Sequence, residues 1–354
     1  MDIVNDIKEK IKLGSLKPND KIKSENELSE EYGLSRQTVR HSISVLEKEG
    51  LVRRVKGSGT YIAENAITDK TNRNTIVVIT TYVDAYIFPQ MIQYMERVIS
   101  DGGYNVQICF TNNRISKEKT ILESIIEKDD VAGVIAEATK SHLPNPNIKY
   151  YEIIRKKKIP VLLLNSFYEN TDIPHVSIND VQAGKLATNH IIEKGHKKIG
   201  GIFKLDDGQG ARRYYGFLEA MSEAGLKVTG NDILWFDTVD LETEENVKML
   251  FERLRARLQS RTAIVFYNDE TAIKLLDLFR KNGIKIPDDL SVVGIDDSVI
   301  SPDENVKITS VIFPTKTVAE KAANNMLEMI NNPSFDGTYE FDLEIVERDS
   351  VKAL

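Results

Sequence analysis

The sequence predicts an α/β protein in two parts: a small helical head closed by a β-hairpin, then two lobes of doubly wound parallel sheet. Three observations predict it. Apolar residues recur at helical spacing through residues 24–50, and after Gly50 the period falls to about 2. From Thr75 onward, short apolar runs alternate with amphipathic stretches, the pattern of parallel strands covered on both faces. Between these regions residues 64–74, ENAITDKTNRN, lack periodicity and read as a flexible polar linker.

The head begins with a helix whose apolar face carries Ile3, Val4, Ile7 and Ile11. Ser24 caps the next helix, and Glu27 completes a reciprocal capping box. Leu28 and Tyr32 face inward from it, Gly33 ends it, and Leu34 fills the turn. Ser35 caps a further helix in which Val39, Ile43 and Leu46 recur at i, i+4 and i+7. That stripe throws Arg36, Gln37, Arg40 and His41 onto the opposite face, near the start. Leu51-Val52 and Tyr61-Ile62 then flank Arg53, Arg54, Lys56 and the turn Gly57-Ser58-Gly59, a basic hairpin or wing. A helix-turn-helix requires this order, because the start of its second helix enters the major groove. A small bundle with a solvated charged face could also carry two arginines. Charge decides between them: residues 34–62 hold six Lys/Arg against two Asp/Glu, in a chain of net charge −7.

This stretch resembles the winged helix-turn-helix of the GntR family over about the first 63 residues. The likeness rests on Gly14 to Ile22 (GSLKPNDKI), Ser24 to Leu28 (SENEL), Ser35 to Arg40 (SRQTVR), Leu46 to Leu51 (LEKEGL) and Gly57 to Tyr61 (GSGTY). It departs at the extreme N-terminus, where family members carry an aromatic-containing lead-in. The resemblance implies a palindromic double-stranded operator as partner. Arg36 and Arg40 are expected to read base edges and Lys56 to meet phosphate. Glu25, Asn26, Ser35, Gln37, Thr38, His41 and Gly57 are expected to add contacts.

A length of 354 residues predicts two or three domains. With 41% apolar and 29% charged residues, the composition is that of a soluble globular protein. No apolar run approaches the roughly 18–20 residues of a membrane span, and the N-terminus is charged rather than signal-like, so a cytoplasmic protein with no membrane partner is expected. The one cysteine, Cys109, reads as a buried strand thiol, which excludes disulfide scaffolds and cysteine-based zinc sites.

Two series of strands and helices follow the linker. The first runs through Ile76–Ile79, Val106–Phe110, Val131–Ala136 and Val161–Leu164, with helices near 88–101, 116–128 and 148–157. The second has helices near 182–194, 211–224, 243–259 and 270–282, and strands at Ile199–Phe203, Ala263–Tyr267 and Val292–Ile295. Two such series predict two doubly wound lobes.

The second series resembles the LacI/GalR family of repressors, whose effector domain has the two-lobed periplasmic-binding-protein fold. The likeness is carried by Asn179-Asp180, Gly195 to Ile199 (GHKKI), Arg213 with Gly216-Phe217, Asn268-Asp269-Glu270, Pro287 to Asp297 (PDDLSVVGIDD) and Ile308 to Val311 (ITSV). It extends over about residues 75–350. LacI-type chains join their head through a DNA-binding hinge helix; residues 64–74 show no helical period, so minor-groove contact is left to the wing. A GntR-like head on a GalR-like domain is similar to the arabinose-responsive repressors of Gram-positive bacteria. That implies a homodimer, no cofactor and a sugar effector, L-arabinose.

A monosaccharide needs aromatic walls and charged groups giving paired hydrogen bonds, and in open α/β sheets it lies at the carboxyl ends of strands. Glu137, Asn165, Lys204, Asp206, Asp207, Gln209, Asn268-Asp269 and Asp296-Asp297 all follow predicted strands. The family resemblance assigns ligand contact to Arg213, Asn268 and Asp296. Glu137, Lys204 and Asp207 join them by position, and Tyr86 and Phe88 are the expected ring-packing residues. The bland alternative is helix capping, open to Asp269 and Asp297. The five histidines form no metal spacing. Gly208-Gln209-Gly210 invites a dinucleotide reading, but Arg213 stands where the third glycine belongs. No phosphate loop or nucleophile elbow occurs, which argues against an enzyme. A transport-type binding protein would lack the DNA-reading head.

Overall fold

The computed structural model describes residues 3–12, 15–63, 73–83, 86–258, 260–298 and 307–354. The chain divides into two units, Met1–Arg73 and Asn74–Leu354. Of the stretch expected to be a linker, only Arg73 and Asn74 fall within the described residues.

In the first unit α1 (Ile3–Lys12), α2 (Glu25–Tyr32) and α3 (Arg36–Lys48) precede the antiparallel hairpin β1 (Val52–Val55) and β2 (Gly59–Ile62). Ser24 and Glu27 form the reciprocal capping box on α2, and the Ser35 side chain accepts the Thr38 N–H to start α3. Ile3, Ile7, Leu28, Val39, Ile43, Leu46, Val52 and Ile62 make one core. The spacing that buries Val39, Ile43 and Leu46 forces Arg36, Gln37, Arg40 and His41 outward.

The second unit starts β3 (Thr75–Thr80), α4 (Phe88–Asp101), β4 (Asn105–Phe110), α5 (Ile115–Glu127), β5 (Val131–Glu137), α6 (Ile148–Lys156), β6 (Val161–Leu164) and β7 (His175–Ile178). It continues α7 (Asp180–Glu193), β8 (Ile199–Lys204), α8 (Gly208–Glu223), β9 (Ile233–Phe236), α9 (Glu244–Leu258), β10 (Ala263–Phe266), α10 (Asp269–Lys281) and β11 (Ser291–Asp296). Then come β12 (Thr309–Ile312), α11 (Thr315–Asn331), β13 (Tyr339–Phe341) and β14 (Ile345–Val346). One sheet has the order β13-β7-β6-β5-β3-β4, the other β14-β12-β11-β10-β8-β9. Pairing is parallel throughout except between β12 and β14.

The sequence reading stops the first series at Leu164 and runs two helices together after Phe203. The structure instead adds β7 and β13 to the first sheet and inserts β9 between α8 and α9. These strands are three or four residues long and sit at or near sheet edges, too short for periodicity to mark. Cys109 is half-buried on the edge strand β4 rather than fully enclosed. The chain passes from one sheet to the other after β7, β12 and β13. Both sheets therefore present their strand C-termini to a shared cleft.

Candidate functional site

The cleft between the two sheets is narrow, with about 70 Å³ of open space. Tyr86, Phe88, Glu137, Lys204, Asp207, Arg213, Asn268 and Asp296 all line it. Glu137, Lys204 and Asp296 are the last residues of β5, β8 and β11, so the pleat delivers their side chains at the rim of each sheet. Asn165 and Gln209, noted at strand ends, also line the cleft.

Arg213 is the hub. It is 1% exposed, and its guanidinium donates to Asp180 Oδ1 at 2.8 Å, the Tyr267 carbonyl at 2.6 Å and Asp296 Oδ1 at 3.3 Å. Burial alone would ease its proton off, but Asp296 and Asp180 outweigh burial and hold it charged. Burial pushes the Asp296 carboxyl up, against the pull of Arg213 and the Tyr86 hydroxyl. Glu137 is likewise pushed up by burial, opposed by the Thr81 N–H at 2.7 Å and the Asn165 amide at 3.3 Å. Lys204 and Asp207 form an ion pair at 2.7 Å. Both cations of the cleft thus already face carboxylates.

Asn268 lines the cleft and is itself a helix cap, the role left open at the outset for Asp269 and Asp297. Its Oδ1 caps α10, accepting from Thr271 N–H at 3.0 Å and Thr271 Oγ1 at 2.7 Å. Asp269 caps no helix; its carboxylate accepts from Ser298 N–H and the Ser310 hydroxyl, a structural role. Asp297 pairs with Arg348. Phe88 and Tyr82 meet edge-on at 5.9 Å and, with Phe313, supply apolar wall.

Sequence reasoning missed Thr81, Tyr82, Tyr267, Glu270 and Phe313 as lining residues. Tyr267 and Glu270 flank the Asn268-Asp269 signal and could have been found from it. Asn165 Oδ1 is buried and has no partner among the described residues. The Gly208-Gln209-Gly210 turn is the first turn of α8, and a Cβ on Gly210 would lie 1.9 Å from the Lys204 carbonyl oxygen. Close helix–strand packing explains that glycine without a nucleotide. A wider groove outside the second lobe, walled by Tyr214, Leu218 and Trp235, offers no such set: Arg253 and Arg257 there are bonded to the carbonyls of Trp235, Gly230 and Ile233.

On the head, Asn26, Arg36, Gln37, Thr38, Arg40 and His41 are exposed around the start of α3, and Lys56 and Gly57 are exposed at the hairpin tip. Arg40 is held by Glu25 through Nη2 at 2.9 Å and Nε at 3.2 Å. Ser35 spends its oxygen on the helix cap and on the Thr38 hydroxyl. Arg53 lies 5.6 Å from the Tyr61 ring centroid and bonds Asn19, adding a fixed cation to the wing.

Residues 1–62 match the gntR family of bacterial regulatory proteins, and residues 188–351 match the periplasmic binding protein-like domain. The arabinose metabolism transcriptional repressor of Halalkalibacterium halodurans is 39% identical over 96% of this chain and 91% of its own length. That of Geobacillus stearothermophilus is 36% identical over 96% and 94%. The crystal structure of the transcription regulator CcpA of Lactococcus lactis superposes with a TM-score of 0.69 at 25% identity, over 79% of this chain and 99% of that one. These relatives are regulators, not enzymes. The chain belongs to the family of arabinose metabolism transcriptional repressors, a GntR-type head carried with a periplasmic-binding-protein-like domain.

Proposed function

We propose that this protein is a homodimeric repressor released from a palindromic operator by a neutral sugar, L-arabinose, and that it controls genes of arabinose use. The observation that carries the effector class is the charge pairing of the cleft. Its lining holds Glu137, Asp207, Glu270 and Asp296 against Lys204 and Arg213, and both cations are already paired. A phosphorylated or acidic sugar would meet uncompensated carboxylates, whereas the hydroxyls of a neutral pentose can donate to them. Arabinose comes from the two repressors to which the chain is 39% and 36% identical, both named for arabinose metabolism.

Glu137, Tyr86 and Phe88 belong to the first lobe; Arg213, Asn268 and Asp296 belong to the second. A sugar touching both binds the closed lobes better and shifts the lobe equilibrium. A coupling of about 1–3 kcal/mol would weaken operator binding about 5–150-fold. The working division is head 1–63, linker 64–74 and effector domain 75–354. Dimerisation rests on the larger domain, where Ile108 and Phe110 on the edge strand β4 are 40% and 48% exposed. Among the described residues no helix is long and apolar enough to cross a membrane; a DNA-bound regulator works in the cytoplasm.

The test is calorimetry of the intact protein against pentoses, hexoses and arabinose 5-phosphate, with operator binding measured alongside. Heat with L-arabinose, none with the phosphate, and sugar-dependent release of DNA are expected. Preference for the phosphate would overturn the charge argument, and operator affinity insensitive to every sugar would overturn the reading.

A further inference from the structure

Beside the cleft lining, and touching it at Asp207, a second set of buried polar groups spans the lobes. The chain passes between the sheets after β7, β12 and β13, strands at or beside the edges formed by β13 and β14. The opposite edges are β4 and β9. Just beyond β4, Asn113 donates from Nδ2 to Thr238 Oγ1 at 2.6 Å and Asp207 Oδ1 at 3.2 Å. Thr238 lies just beyond β9, and its N–H and hydroxyl reach Asp206 Oδ2 at 3.2 and 2.8 Å. Lys140 Nζ meets the same oxygen at 2.9 Å. At the rim Arg114 approaches Glu242 at 3.6 Å.

The Thr238 hydroxyl is thus a relay, accepting from the first lobe while donating to the second lobe's carboxylate. Asn113, Asp206 and Thr238 are 2%, 1% and 5% exposed. Neither these three residues nor Lys140 lines the cleft. Their placement gives them leverage: a rotation about the crossing strands displaces the far edge most. Parting the lobes there strips buried polar groups of partners, and bonds to an ionised group are the costliest to leave unmade. Burial pushes the Asp206 carboxyl up, but Lys204, Lys140 and Thr238 outweigh it and keep it below the ordinary range, so the ion pair persists at neutral pH.

We propose that Asn113, Lys140, Asp206 and Thr238 are positioning residues for the effector, a polar latch at the free edge of the lobes that slows sugar release. The proposal rests on the cleft being the sugar site. In the full-length protein Thr238→Val keeps the side-chain volume and removes the relay. L-Arabinose should then leave about tenfold faster in stopped-flow measurements, with its association rate unchanged. Thr238→Ser should restore the wild-type rate, which a purely structural role would not require. Lys140→Met, at a part-buried side chain 23% exposed, should raise the release rate in the same direction. Without sugar, amide hydrogen exchange in segments 111–114, 205–208 and 237–242 should quicken in Thr238→Val.

Wild-type release and exchange rates in Thr238→Val and Lys140→Met would overturn the latch. If the wild type binds no sugar while exchange still quickens, the effector reading fails, and with it the role in sugar release, while the bond between the lobe edges is upheld.

Discussion

The Tyr86 hydroxyl donates to Asp296 Oδ2 at 2.6 Å, a bond between residues 210 positions apart that joins the first lobe to the second. Both residues hold left-handed backbone, with φ of 60° and 104°. Such conformations cost of order 1–3 kcal/mol each and persist where the surroundings over-determine them, commonly at ligand sites. Asp296 uses its other oxygen on Arg213, so one carboxylate ties the hub of the second lobe to a side chain of the first.

That double use changes how Asp296 is best tested. Asp296→Ala would leave Arg213 buried with Asp180 as its remaining carboxylate, a stability loss confounded with function. Asp296→Asn keeps the shape and loses the charge. It should weaken L-arabinose binding about 10–150-fold, the range for a hydrogen bond to a charged group, and leave sugar-free operator affinity unchanged. Titration calorimetry and operator gel shifts read the two effects separately. A variant that still releases DNA at wild-type sugar concentrations would remove Asp296 from the site.

Sugar affinity should depend on pH. Burial raises the Glu137 and Asp296 carboxyls above their ordinary values. The ionised forms are the stronger acceptors for sugar hydroxyls, so binding competes with protonation. Affinity should be flat at the alkaline side and fall as pH drops through the raised values, by up to tenfold per pH unit for each proton displaced. The onset lies above the ordinary carboxylate range, and Glu137→Gln should flatten its share. Calorimetry from pH 8 down into the ordinary carboxylate range measures this; constant affinity throughout would show that neither carboxylate accepts from the ligand.

Arg40→Ala should lower operator affinity roughly 5–150-fold and relax preference at one base pair, the pattern of a base-reading arginine. Glu25→Ala frees the guanidinium that Glu25 now holds; it should broaden sequence preference more than it weakens binding. Lys56→Ala should weaken all sequences alike and flatten the salt slope. Operator competition assays at two salt concentrations separate these outcomes, and an Arg40 variant with unchanged preference would discard the docking assignment.

Helix α7 crosses α8 through two glycines. A Cβ on Gly216 would stand 1.9 Å from the Val181 carbonyl oxygen, and one on Gly184 the same distance from that of Arg213. Backbone cannot yield as a side-chain tip can, so Gly216→Ala should cost about 1–3 kcal/mol of stability. Because the contact sets where Arg213 meets Asp180, sugar affinity should fall with it. Thermal unfolding with calorimetry checks both; a variant of wild-type stability would mean the helices part without penalty.

The sequence by itself determined the parts whose signal is local. Capping residues Ser24 and Ser35, the Val39-Ile43-Leu46 stripe and the apolar runs each specify their element through neighbours a few positions away. The same logic placed Glu137, Lys204, Asn268 and Asp296 at strand ends, because strand C-termini in such sheets face the ligand. Short edge strands such as β9 escaped, since four residues carry no period. Only the tertiary structure decided who partners whom. That Arg213 is shared by Asp180, Asp296 and the Tyr267 carbonyl, that Tyr86 reaches Asp296, and that Asn113 meets Thr238 are facts about residues 33 to 210 positions apart. No local propensity encodes such pairings; they follow from where two sheets and their crossing strands bring the rims together.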